Sequence, residues 1–484
     1  MMNQKYLIYI QNLSISLVSL FLLSGFMQAE VDVSEKPNII YILADDLGYG
    51  ELSCQGGDLA TPHIDSIAAE GVRFTDGYVT APFCAASRAA IMTGRYQTRF
   101  GFEFNPIGAR NMQPNIGLPI GERTFASDLQ DVGYATALIG KWHLGGTADY
   151  HPLRRGFDEF FGFTHEGHFF VPPPYENTIT WLRRKALPDG GSGRWTSPDG
   201  RMIWSTHMGH HEPDYDADNP LVRNSQPVNE TENLTDAFDR EARSFIQRHR
   251  SQPFMLCLAY NAVHSPLQAK DDYFAKFADI DDVQRRIFAA MLSHLDDSVG
   301  RVLRTLDEAN LSDNTLAIFI SDNGGPTAEL TSSNEPLRGG KGSLWEGGTR
   351  VPWLMRWPDK ITSGSVVRTP VISTDIAATV RDLAGARQPK LRDGIDLIPH
   401  LGSARQTLPK RSMYWRVGDR SALRRGDWKV SRKAGRDASY AWTLTNLKND
   451  LAEQTDLSSE EPKILSELIR QWDEIDAEMV EPAW

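Results

Sequence analysis

Four short stretches of the chain are apolar without alternation: Asn38–Ala44 (N-I-I-Y-I-L-A), Ala135–Ile139 (A-T-A-L-I), Phe254–Tyr260 (F-M-L-C-L-A-Y) and Thr315–Ile320 (T-L-A-I-F-I). A strand with one wet face alternates, whereas a strand covered on both faces need not, so these read as parallel strands inside a layered sheet. Helical patterns lie between them. The longest, Arg285–Ala309, repeats apolar residues at three- and four-residue spacing. Strand–helix alternation over this length predicts a doubly wound α/β sheet. Ligands of such sheets bind beyond the carboxyl ends of the strands.

Two regions break the pattern. Residues 163–232 are irregular and rich in Trp, His, Pro and Gly, including H-E-G-H-F-F-V-P-P-P-Y and S-T-H-M-G-H-H-E. A long irregular insert in a regular domain is usually functional, and its aromatic content favours a binding loop. The histidines His207, His210 and His211 within it read as solvent-exposed loop residues, with a sugar subsite as the alternative. From residue 405 onward, M-Y-W-R-V, A-L-R-R-G-D-W-K-V and A-W-T-L-T-N-L read as short antiparallel strands, followed by a helix over Glu461–Met479. The expected organisation is a leader over 1–29, a main domain over 30–404 and a small α+β subdomain over 405–484.

Every predicted parallel strand runs straight into polar residues. Asp45 and Asp46 follow the first, Lys141 and His143 the second, His264 the third, and Asp322 and Asn323 the fourth. On one rim of one sheet these would meet. Three carboxylates at one point need a compensating cation. With the amide oxygen of Asn323 they form an all-oxygen set suited to Ca²⁺ or Mg²⁺ rather than zinc. Lys141, His143, His264 and Lys341 add cations and proton donors, which suits an anionic tetrahedral group such as sulfate or phosphate. Arg88 lies one helical turn beyond Cys84, so both can face that point.

Compartment bears on the cysteines. Lys5 precedes an apolar run, Leu13–Phe26, and Ala29 supplies a cleavage position, the pattern of a secretory signal. The expected location is therefore secreted or periplasmic, with no stable membrane association. A net charge of -12, with no basic run, excludes a nucleic-acid surface. Only Cys54, Cys84 and Cys257 are present, an odd count that leaves at least one thiol unpaired. Cys257 falls in a predicted buried strand and Cys54 in a glycine-rich loop. Cys84, at the mouth of a predicted helix, is singled out.

These motifs together resemble the formylglycine-dependent sulfatases of the alkaline-phosphatase superfamily. The signature Cys-x-Pro/Ala-x-Arg appears as Cys84-Ala85-Ala86-Ser87-Arg88, with N-I-I-Y-I-L-A-D-D-L-G, T-G-R-Y, G-K-W-H-L-G, S-D-N-G-G and G-G-K-G-S-L-W-E-G-G-T-R-V-P in the family's order. Ala86 stands where the family commonly carries Pro. The resemblance implies an alkaline-phosphatase-like fold: a large mixed, mostly parallel sheet flanked by helices, with a smaller C-terminal α+β subdomain. It implies that a maturation enzyme oxidises Cys84 to formylglycine. It implies a cation, Ca²⁺ with Mg²⁺ as the alternative, on Asp45, Asp46, Cys84, Asp322 and Asn323. By the same resemblance Arg88, Lys141 and Lys341 neutralise sulfate, His264 and Lys341 lie near the ester oxygen, and His143 is the base that releases sulfate. His168 is a further substrate-binding residue at looser correspondence.

The expected activity is hydrolysis of sulfate esters on a sulfated poly- or oligosaccharide. Two alternatives are a phosphonate or phosphate ester hydrolase of the same superfamily and a glycan-binding homologue without turnover.

Overall fold

The computed structural model describes residues 36–213, 215, 219–404, 406–432 and 441–484. The predicted leader over 1–29 lies outside them. Among the described residues no helix is long and apolar enough to cross a membrane.

A ten-stranded sheet organises the structure. In chain order its strands are β1 (Asn38–Ala44), β2 (Val72–Phe74), β3 (Ala135–Lys141), β4 (Glu159–Phe163), β5 (Val222–Arg223), β6 (Gln226–Pro227), β7 (Phe254–Ala259), β8 (Thr315–Ser321), β9 (Trp353–Arg356) and β10 (Ser365–Val367). Their spatial order is β6-β5-β4-β3-β7-β1-β8-β9-β2-β10. The five central strands β4, β3, β7, β1 and β8 are parallel. The pairs β8–β9, β9–β2, β4–β5 and β5–β6 are antiparallel. The sheet is therefore mixed and mostly parallel, as expected.

All residues of β1, β3, β7 and β8 are buried, which is why their sequences do not alternate. The two faces feed two cores. Ile40 and Ile42 of β1 pack with helices α1 (Pro62–Ala69), α4 (Leu234–His249) and α5 (Val283–Glu308). Ile39, Tyr41 and Leu43 pack with α2 (Cys84–Thr93), α3 (Phe125–Asp131) and α6 (Thr374–Ala384). The amphipathic period seen in the sequence places Ile287, Phe288, Met291 and Leu295 of α5 inside.

The insert is more regular than its sequence suggests. Thr178–Arg183, Met202–Ser205 and Arg194–Thr196 pair into a four-stranded sheet whose fourth strand is Leu267–Lys270. A short strand whose partner lies outside the segment leaves little periodic signal within it. Near the C-terminus, Ser412–Val417, Arg420–Arg425, Trp428–Arg432 and Trp442–Asn446 form an antiparallel sheet. Helix α7 (Pro462–Asp476) packs on it through Leu468 and Trp472, giving a third core.

Candidate active site

Register brings the central strand ends level. Ala44 of β1 pairs with Ser321 of β8, Leu43 with Ala259 of β7, and Ala259 with Gly140 of β3. The residues that follow therefore leave the sheet side by side. Gly140 is required there, because a Cβ at that position would lie 1.9 Å from the Ala259 carbonyl oxygen. Gly324 has a similar constraint: its Cβ would fall 1.8 Å from the Gly347 oxygen. Backbone contact thus locks S-D-N-G-G against W-E-G-G-T. Asp46 and His143 adopt φ of 63° and 57°, left-handed turns uncommon for residues with a Cβ.

The predicted residues converge. Ligand atoms of Asp45, Asp46, Asp322 and Cys84 all lie within 4.8 Å of one another. Helix α2 starts at Cys84, and its ten residues are all buried. The alanines of this helix permit close packing, and Arg88 emerges one turn on. Arg88 Nε donates to Asp322 Oδ2 at 2.9 Å and Nη1 to the Lys141 carbonyl at 2.9 Å. Lys141 Nζ donates to Asp45 Oδ2 at 2.5 Å, and Lys341 Nζ to Asp46 Oδ2 at 2.8 Å. Asn323 Nδ2 donates to Asp46 Oδ1 at 2.7 Å. Arg88 and Lys141 are thus buried against carboxylates, whereas Cys84, His264 and Lys341 line a cavity of about 490 Å³.

Crowding shows in the proton affinities. Burial pushes the Asp322 carboxyl up to about 6, with Asp45 adding to the rise and Arg88 opposing it. For Asp46, burial works against ionisation, but Lys341 and His264 outweigh it and hold the carboxyl at about 2. Burial raises the Cys84 thiol to about 12. An unmodified thiol there is a poor nucleophile. Burial, helped by Lys341, brings the His264 imidazole down to about 4. His143 is held well below its ordinary value by burial and by Lys141. Its Nε2 lies 2.9 Å from the Pro106 carbonyl, and its Nδ1 is buried without a hydrogen-bond partner among the described residues.

These residues fit a hard divalent cation. Asp45 Oδ1 and Asn323 Oδ1 are both buried acceptors with no hydrogen-bond donor among the described residues. Such orphaned oxygens beside crowded carboxylates are what a cation with oxygen ligands satisfies. Three carboxylates, an amide oxygen and a cavity bearing cations beside them make a site for anion chemistry.

Comparison with known proteins agrees. A family model described as Sulfatase matches residues 37–386. The chain belongs to the sulfatase family. A second model, N-sulphoglucosamine sulphohydrolase C-terminal, matches residues 340–474. Steryl-sulfatase of Homo sapiens is 36% identical over 429 residues, covering 79% of this chain and 72% of that protein. N-acetylgalactosamine-6-sulfatase of Homo sapiens is 34% identical over 423 residues, covering 85% and 73%. The crystal structure of Ps i-CgsB in complex with k-i-k-neocarrahexaose superposes with a TM-score of 0.80 at 35% identity, covering 93% of this chain and 94% of that one. The protein is accordingly a sulfuric ester hydrolase. Sulfatases generally use a formylglycine and a divalent cation, and the acidic cluster provides a place for the latter.

Other parts of this sulfatase's site were not legible beforehand. Arg183 at the end of an insert strand donates from Nε to Glu212 Oε2 at 2.9 Å and from Nη2 to Ser265 Oγ at 3.0 Å. It also pairs with Glu329. His210 is exposed, as expected, and also lines the cavity, with Nε2 3.2 Å from Arg183 Nη1. The loop carrying it folds back onto the insert sheet through Glu212. His168 is buried with its Nδ1 2.9 Å from the Phe169 carbonyl and its ring 5.3 Å from that of Phe163. It does not line the cavity. All three cysteines are free thiols.

Proposed function

We propose that this sulfatase is exported and removes sulfate from a sulfated poly- or oligosaccharide, with galactose-type sugars as the first class to test. The convergence of Cys84 with Asp45, Asp46 and Asp322 carries the mechanistic reading. The carbohydrate reading draws on the likeness to Ps i-CgsB bound to a neocarrahexaose and to N-acetylgalactosamine-6-sulfatase.

In this reading Asp45, Asp46, Asp322 and Asn323 would hold Ca²⁺ or Mg²⁺, which supplies positive charge for the sulfate oxygens. Cys84, converted to formylglycine by a maturation enzyme, supplies a hydrated aldehyde as nucleophile. Lys341 lines the cavity and binds sulfate by charge, while Lys141 and Arg88 hold the Asp45 and Asp322 side chains in place. His264 stands at the cavity wall beside Lys341, where one of the two delivers a proton to the departing alcohol. Neutral His143, with Nδ1 unpartnered, is the group able to accept a proton when sulfate is released.

Sulfate release from methyl galactoside 4- and 6-sulfates, set against the matching phosphate esters, tests this. Preference for sulfate supports it, and preference for phosphate overturns it. Mass spectrometry of the Cys84 peptide from protein made with its maturation enzyme reads the conversion. An active protein carrying only the thiol would refute the nucleophile.

A further inference from the structure

On the leaving-group side of the cavity most polar atoms are committed to one another. Glu166 accepts from the Gly108 amide on Oε1 and from Asn111 Nδ2 on Oε2, both at 2.8 Å. Tyr215 donates its hydroxyl to Glu212 Oε1 at 3.0 Å. Arg183 directs its fork to Glu212, Ser265 and Glu329, and His210 Nε2 lies 3.2 Å from its Nη1. Glu329 differs. Its Oε1 receives both Arg183 and the Ser265 hydroxyl, the latter at 3.0 Å. No hydrogen bond reaches its Oε2 among the described residues, and its side chain keeps 16% of its exposure. It lines the same cavity as Cys84, His264 and Lys341.

Glu329 is also held close to the reacting end. Ser265, which donates to it, follows His264, and His264 Nδ1 lies 2.7 Å from the Ser265 carbonyl. Arg183 is shared between two carboxylates, Glu212 and Glu329.

We infer that Glu329 accepts a hydroxyl of the sugar ring next to the scissile ester and selects a neutral hydroxylated leaving group. This rests on the sulfatase reading of the cavity. An apolar leaving group would cover the carboxylate oxygen without satisfying it. A second sulfate or a uronate at that position would meet like charge. The aromatic walls, Phe83, Phe104 and Tyr215, suit the apolar faces of a sugar ring.

The test compares kcat/KM for a methyl galactoside sulfate with that for 4-nitrophenyl sulfate in the parent and in Glu329→Gln, which keeps size and one acceptor. The ratio is expected to move toward the aryl ester by about tenfold or more. A ratio that stays put, with both substrates falling together, overturns the inference and makes Glu329 a structural tie. A second measurement needs no variant. In a series of monodeoxy galactoside sulfates, deleting one hydroxyl beside the ester should cost the parent about tenfold in kcat/KM. If every deletion is tolerated, the inference fails while the sulfatase reading stands. Inactivity of the parent toward all sulfate esters would instead sink the reading beneath it.

Discussion

Two buried clusters in this molecule each hold three carboxylates and three cations, and they are arranged in opposite ways. In the active site Asp45, Asp46 and Asp322 converge on one point, with Lys141 on Asp45, Lys341 on Asp46, and Arg88 reaching Asp322 at 2.8 Å and Asp45 at 3.8 Å. In the second cluster like charges alternate with unlike. Lys429 lies between Glu346 and Glu453 at 2.9 Å and 3.0 Å, while Asp76 takes Arg350 at 3.1 Å and Arg424 at 2.7 Å. That second cluster joins the W-E-G-G-T segment to the C-terminal sheet. Each cluster holds one carboxyl low and another high: Asp46 and Glu346 stay at about 2, while burial raises Asp322 and Glu453. Buried charge has two meanings here, set by the arrangement. Alternation ties elements together, and crowding prepares a place for something the chain does not itself contain.

Breaking the crowded cluster should remove function and spare the fold. Replacing Cys84 with Ala is expected to lower sulfate-ester turnover by about a thousandfold or more, ~4 kcal/mol in the barrier, with little change in Tm. Activity close to that of the parent would dissolve the distinction. Breaking the alternating cluster should do the reverse. Glu346→Gln leaves Lys429 and Arg424 short of a partner and is expected to cost about 3 kcal/mol of stability, read in denaturant melts.

Its pH dependence has a definite sign. Glu346 is depressed from 4.5 to about 2 in the folded protein, so its stabilisation is present above pH 4.5 and is lost as pH falls toward 2. Burial raises Glu453, which contributes the opposite slope. The Glu346→Gln variant should therefore show a flatter acid limb than the parent. Calcium sharpens the comparison from the other side. Saturating Ca²⁺ at about a hundredfold over its Kd should stabilise the parent by ~2.7 kcal/mol, and Glu346→Gln should keep that gain. Asp45→Asn should lose it. The smallest effect is the control. Arg154 and Asp149 pair at 2.9 Å, but both are more than 60% exposed, so Arg154→Ala should change stability by less than about 0.5 kcal/mol.

Much of this was legible in the chain. β1 has the bounds its apolar run predicts, and β3, β7 and β8 differ only at their carboxyl ends. Burial on both faces removes the alternation that exposure would impose. The strand-end residues Asp45, Asp46, Lys141, His264, Asp322 and Asn323 could be read because a strand end is a local feature and one rim collects them. Arg183, Glu212 and Glu329 could not. Each sits in a different part of the chain, and nothing in W-L-R-R or T-A-E-L marks a residue that will meet the others. The insert sheet was hidden for the same reason, since Leu267–Lys270 completes it from beyond the segment.

Sequence alone determined the four central apolar strands, the long amphipathic helix and the C-terminal strands, and which polar side chains stand at the strand ends. Those follow from side-chain chemistry and from periodicity along the backbone. Only the tertiary structure decided which carboxylates face each other, which cations alternate with them, and which oxygens remain without donors. Electrostatic interaction depends on distance through space, and here that distance is set by sheet register and by glycine contacts between loops far apart in the chain.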